Sequence, residues 1–419
     1  MNSEQDSSIQ TLLIKIDKAS QTQNWSGCND YIQQLPIWGT KNSFAQIDSH
    51  FQKQILEFAI TILINGDFQD KWDITKIFPR LGENTVEVLD SLLKNNSLNA
   101  ETQWFIAKIL GNFKTESAVN TLANLLENCS DSEIIAICAK SLSQIGQPAI
   151  KTLIALLAKP DFRLIATKSL AHIRLAAAIP TLIDLATDNN SKIRKLAIEA
   201  LGSFHEERVF RVLVVALKDP ESSIRREAVS ALGFWSHLAT ELDLVIYLQP
   251  MLSDLNIEVC RQATISLSRI KNKSAIEALN QALKSSYTPP VLKFDLVKAL
   301  AWSENSNALV FLQEAFWTET NSICQTIITA LGRISTQELK SQAISILREF
   351  WNLSSSAKID TEIRKTLATA LGDLEATTAR DILENLLKDK EKTVQLHAIA
   401  SIKKLDLVDQ SDKLKSPIK

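Results

Sequence analysis

Side chains able to ligate a metal, attack a carbonyl or carry a redox group are few in this chain, and their spacing limits what they can do. The five cysteines, Cys28, Cys129, Cys138, Cys260 and Cys324, are an odd number with no CxxC spacing. That speaks against a disulfide framework and against a zinc knuckle, and for reduced thiols. The histidines, His50, His172, His205, His237 and His397, are scattered, and there is no HExxH, GxSxG, GxxxxGKS/T or GxGxxG motif. No catalytic residue, no metal ligand set and no intrinsic cofactor is expected from these patterns. What remains are tryptophans, cations and two oddly placed thiols, and their meaning depends on the elements that carry them.

Those elements repeat. IRKLAIEALGSF (193–204), IRREAVSALGFW (224–235), VCRQATISLSRI (259–270), ICQTIITALGRI (323–334) and IRKTLATALGDL (363–374) superpose without a gap. They define an anchor column: Phe78, Leu110, Leu142, Leu170, Leu201, Leu232, Leu267, Leu300, Leu331, Leu371 and Ile402. Residues at anchor −8, −4, 0 and +3 lie on one face of a 3.6-residue helix and are nearly all apolar. Position +1 is small, as a close approach of neighbouring helices requires. Upstream of each such helix lies a second amphipathic run, such as AAIPTLIDLA (177–186). The unit is therefore helix, turn, helix, and the fold class is all-α, an alpha-solenoid of about ten helix pairs.

The grid sorts the candidate residues. Asp188, Asp219, Asp254 and Asp389 at −13 are expected near helix N-caps, and Arg163, Arg194, Arg225 and Arg364 at −7 to form a structural ladder with them. Cys260 and Cys324 replace that arginine, two layers or roughly 20 Å apart, too far to pair, and are candidates for reactive surface thiols. Trp235 at +3 should be core. Phe234 and Trp302 at +2, and Trp317 at −14, sit in polar columns and are expected to be exposed partner-binding aromatics. Trp72 and Trp104 share column −6 with Lys195, Arg226, Arg261 and Lys365. They suggest a groove that runs from two stacked tryptophans into a basic strip suited to an acidic protein surface. Leu164, Phe294 and Leu396 in the same column keep open the alternative that it is semi-buried. His172, His205 and His237 could line one edge but hardly meet at one metal.

KDPESSIRREAVSALG (218–233) resembles the HEAT-like repeat of the cyanobacterial phycobilisome (bilin) lyase superfamily. GDFQDKWDITKIFPRLG (66–82) with ETQWFIAKILGNF (101–113) resembles the cyanobacterial HEAT-repeat partner of the iron–sulfur A-type scaffold. In such arrays the second helices line the concave side. The resemblances imply a phycobiliprotein, or an iron–sulfur assembly scaffold, as protein partner, with a bilin or an iron–sulfur cluster carried by that partner. They leave three readings: a non-catalytic scaffold or adaptor, a lyase-like bilin lyase, bilin-detaching factor or phycobiliprotein chaperone, or an accessory factor in cluster assembly.

Composition sets the outer limits. With 46 Lys+Arg against 48 Asp+Glu the net charge is −2, so no nucleic-acid partner is expected. There is no membrane span and no leader-like start, which points to a cytoplasmic protein. The expected organisation is an N-terminal helical cap at 1–60 that includes Trp25 and Trp38, a solenoid at 61–406 and a disordered tail at 407–419. The polar stretch 352–362 reads as an insertion between helices.

Overall fold

The computed structural model describes residues 2–35, 48–95, 98–354 and 360–415. Trp38 and part of the 352–362 stretch lie outside them. Helices joined by short turns account for the described architecture, and no strand occurs among the described residues. The chain divides into two compact units, Met1–Phe204 and His205–Lys419.

In the first unit, helices Asn2–Gln21 and Trp25–Gln33 pack on each other and against the pair Ser49–Asn65 and Phe68–Ile74. Helix Ser49–Asn65 thus runs through the boundary expected at residue 60. The cap is fixed by polar contacts: Ser26 Oγ donates to Asp70 at 2.9 Å, and Asn29 Nδ2 donates to the Asp70 carbonyl at 3.1 Å. Four pairs follow, with second helices Ala100–Leu110, Ser132–Ile145, Pro160–Ile173 and Ser191–Leu201 each packed on the one before.

The second unit has six further pairs among the described residues. Their second helices are Ser222–Gly233, Ile257–Ile270, Pro290–Trp302, Asn321–Gly332, Thr361–Asp373 and Lys392–Lys415. The last of these is helical through most of the segment expected to be a disordered tail. Helix Gln337–Leu353 likewise enters the stretch read as an insertion.

The anchor column is the core of each unit. Phe78 and the nine leucine anchors are fully buried, and each such side chain contributes about 1.5–3 kcal/mol through removal from water. Ile402 is only half-buried. Trp235 is buried as its column predicts.

The small +1 residues make the seam between layers. A β-carbon on Gly233 would lie 2.4 Å from Ser266 Oγ, and one on Gly111 would lie 2.8 Å from Ser141 Oγ, so helix backbones meet there through hydrogen and hydroxyl alone. Ser266 Oγ in turn donates to the Val229 carbonyl one layer back, at 2.9 Å.

The turns are built differently from expectation. The N-caps stand at −11: Asn99, Asp131, Asn190, Asn256 and Asp360 accept from amides of the first turn. The aspartates at −13 instead accept from the backbone N–H of residue −11, as Asp254 does from Asn256 at 2.8 Å. From that position the carboxylates of Asp188, Asp254 and Asp389 also reach across a layer. Arg163 bonds Asp188, Arg225 bonds Asp254 bidentately at 2.7 and 2.8 Å, and Arg364 bonds Asp389, each linking residue −7 of one pair to residue −13 of the next. Lys293, also at −7, bridges at 2.6 Å to Glu319, which stands one residue later, at −12 of the next pair. The ladder is structure.

Candidate functional site

Column −6 does not hold a free basic strip. Arg226 pairs with Glu227 at 2.8 Å, Arg261 with Glu258 at 2.6 Å and Asp295 at 3.1 Å, and Lys365 with Glu362 at 2.9 Å. The carboxylates stand one or three residues away on the same helix, or one layer on. Their charge compensates the cations before any partner arrives, so the expected strip is corrected. Lys195, in the first unit, is half-buried.

The tryptophans are also arranged differently. Trp72 is 38% exposed and stacks on Phe68 with centroids 6.2 Å apart, while Trp104 is half-buried and edge-on to Phe105. They are not stacked on each other. Lys108 lies against both: its Nζ is 3.1 Å from the Trp72 ring centroid and 5.4 Å from that of Trp104. Burial, followed by the charges of Lys140 and Lys76, holds the Lys108 ammonium below the usual lysine range.

That electrostatic link exposes a row the sequence reading missed. Lys76, Lys108, Lys140 and Lys168 all occupy anchor −2, at steps of 32, 32 and 28 residues. Position −2 lies one turn beyond −6 on the same helix face. The first unit therefore presents two parallel files: Trp72, Trp104, Ala136 and Leu164 on its second helices, then Lys108, Lys140 and Lys168 on the same helices with Lys76 in the turn just past Phe68–Ile74. Lys76 is tied to Asp73 at 2.7 Å, while Lys140 and Lys168 are exposed. A cavity of about 350 Å³ opens between these last two lysines, edged by Ser143, Ile165 and His172. The signal was legible as a lysine at every anchor −2 from 76 to 168.

The two thiols proposed as surface groups are buried, which corrects that expectation. Position −7 points at the preceding turn. Arginines there donate to the carbonyl six residues back, Arg194 to Asp188 at 2.9 Å and Arg225 to Asp219 at 2.8 Å, and Cys260 Sγ does the same to Asp254 at 3.2 Å. Cys324 Sγ contacts the Phe316 carbonyl at 3.6 Å. Burial, then the nearby Glu319 charge, pushes the Cys324 thiol up to about 11, and burial followed by Asp254 raises that of Cys260. Neither is poised as a nucleophile.

Phe234, Trp302 and Trp317 are exposed, in keeping with their columns. The Phe234 ring carries the Arg269 guanidinium at 4.8 Å, and Trp317 leans on Phe350 at 6.1 Å. Trp302 ends a second helix, while Trp317 lies in the turn between helix Ser306–Ala315 and the second helix Asn321–Gly332. His205 and His237, expected to line one edge, have ring centroids 5.5 Å apart. Among the described residues no group of three metal-ligating side chains comes together, and no helix is long and apolar enough to cross a membrane.

This architecture, helix pairs stacked through a leucine column and a turn-borne ion-pair ladder, is that of a HEAT-type α-solenoid. A model of HEAT repeats matches residues 86–167 and 150–233. A chain of the solved structure in which Kap95p binds RanGDP is 11% identical and superposes over 96% of this chain with a TM-score of 0.51. This chain spans 62% of that one, and at such identity the likeness shows the fold alone. An engineered protein is 19% identical over 95% of this chain and 99% of its own, with a TM-score of 0.30. Human deoxyhypusine hydroxylase is 18% identical over 71% and 99%, with a TM-score of 0.27. No curated protein sequence matches the chain.

Proposed function

We propose that the chain is a non-catalytic protein-binding scaffold whose first unit takes an extended acidic segment of a partner protein along its second-helix face. The observation that carries this reading is the lysine file at 76, 108, 140 and 168, set beside Trp72 and Trp104. Stacked helices lie about 8–10 Å apart, and a segment in polyproline II conformation advances about 3.1 Å per residue with three residues per turn, so that every third side chain shares one face. Acidic residues at every third position would therefore meet successive lysines. The aromatic file supplies apolar contact alongside them, and the Trp72 ring already holds one cation in place.

The test uses the full chain and a fluorescent peptide with glutamate at every third position. Saturable binding that weakens with salt and with Lys140→Glu supports the reading. A peptide of the same composition in scrambled order binding as well, or a single-stranded oligonucleotide of equal charge binding better, refutes it. Affinity capture from a cyanobacterial lysate then addresses the partner suggested by the sequence resemblances. The visible spectrum of the eluate separates a bilin-bearing partner from an iron–sulfur protein or a colourless one.

A further inference from the structure

At the Cys260 layer of the second unit both partners of the ion-pair ladder have been exchanged. Position −7 is Cys260 instead of arginine, and position −13 of the following pair, the site of Asp188, Asp254 and Asp389 elsewhere, is Tyr287. In the sister layers the guanidinium lies between two turns, taking the carbonyl of its own turn and the carboxylate of the next. Here the same place is a cavity of about 450 Å³ between the turn 253–257 and the turn 285–289.

The cavity keeps half of what a guanidinium needs. The Asp254 carbonyl, which a sister arginine would cap, receives only the Cys260 thiol at 3.2 Å, a weak donor. Asp254's carboxylate is engaged by Arg225, so no ion pair within the layer competes for the space. On the opposite side stand the hydroxyls of Ser285 and Thr288 and the ring of Tyr287, which is almost wholly exposed. Leu255, fully exposed, forms the other lip. Backbone oxygen, hydroxyl oxygen and an aromatic face are the complement of a planar five-donor cation.

We propose that this gap in the ladder is a docking slot for an arginine side chain presented by a partner protein, which would occupy the position the chain's own arginines fill in the other layers. The slot lies in the second unit and does not depend on the acidic-segment site of the first.

The probe is N-acetyl-arginine amide, titrated into the full chain by calorimetry, with N-acetyl-lysine amide as comparison. Saturable binding of the arginine probe, at least about tenfold tighter than the lysine probe, is expected because only the guanidinium has the planar fork and stacking face. Cys260→Arg should abolish it, since the variant's own side chain then fills the slot. Tyr287→Asp, which restores the missing carboxylate at the surface without touching the core, should tighten binding about tenfold or more. No saturable binding, equal affinity for lysine, or binding unchanged in both variants would overturn the proposal. If Cys260→Arg fails to fold, Tyr287→Asp decides alone.

Discussion

Removing Arg225 should unfold one rung of the ladder, and its size can be worked out from the pair's surroundings. Its side chain is 15% exposed and that of its partner Asp254 7%. Breaking a buried pair by deleting one member costs about 3–5 kcal/mol, because the remaining charge is stranded. Asp254 keeps the Asn256 amide at 2.8 Å, which partly compensates it, while the Asp219 and Pro220 carbonyls lose their donor. Arg225→Ala should therefore cost about 2–3 kcal/mol at pH 7. Arg226→Ala, one residue on and in a more exposed pair with Glu227, should cost less than about 1 kcal/mol.

The pH dependence has a definite sign. Hydrogen bonds from Arg225, then the Asn256 amide, outweigh burial and hold the Asp254 carboxyl below the usual carboxylate range. A carboxyl depressed in the folded state contributes stability that is full above its unfolded pKa, near 4, and is lost as pH falls through the folded value. The gap between wild type and Arg225→Ala must close below about pH 4. Because each pair touches only its neighbours, urea melts by circular dichroism should be joined by amide exchange of Ser222–Gly233 as the local readout. Equal costs for the two arginines, or a loss as large at pH 3 as at pH 7, would refute the ladder as a stabilising device.

Trp72→Ala should weaken acidic-peptide binding several-fold while melting shifts by no more than about 2 °C, since the ring is surface-borne; a collapsed melting transition would mark it as core. With a thiol reagent at pH 8, half-exposed Cys129 should react first, while Cys324, with its thiol near 11, presents only on the order of one thiolate in a thousand; labelling of Cys260 or Cys324 at the rate of Cys129 would contradict their burial. Gly233→Ala should destabilise by about 1–3 kcal/mol through the clash with Ser266, and Ser266→Gly in the same chain should recover much of it in urea melts.

Much of this molecule is legible in one pass along the chain, because a repeat array makes each residue's environment a function of its column. The leucine anchors, the small +1 seam, the arginine ladder and the buried Trp235 follow from helical period and repeat length alone, as each layer packs only on the next. Charge pairing does not follow. Whether Arg261 is free or bound to Glu258 and Asp295 depends on rotamers and on the register between layers. For that reason the basic column at −6 proved compensated, while the lysine file at −2, present in the sequence at every anchor from 76 to 168, gained its link to the tryptophans only from the placement of Lys108. The same holds for the thiols: a cysteine in an arginine column looks like surface, yet its short side chain stops at the turn carbonyl and is buried there, leaving a cavity in the arginine's place at Cys260. Periodicity fixes which face a residue occupies; only packing between layers decides what that face still has to offer.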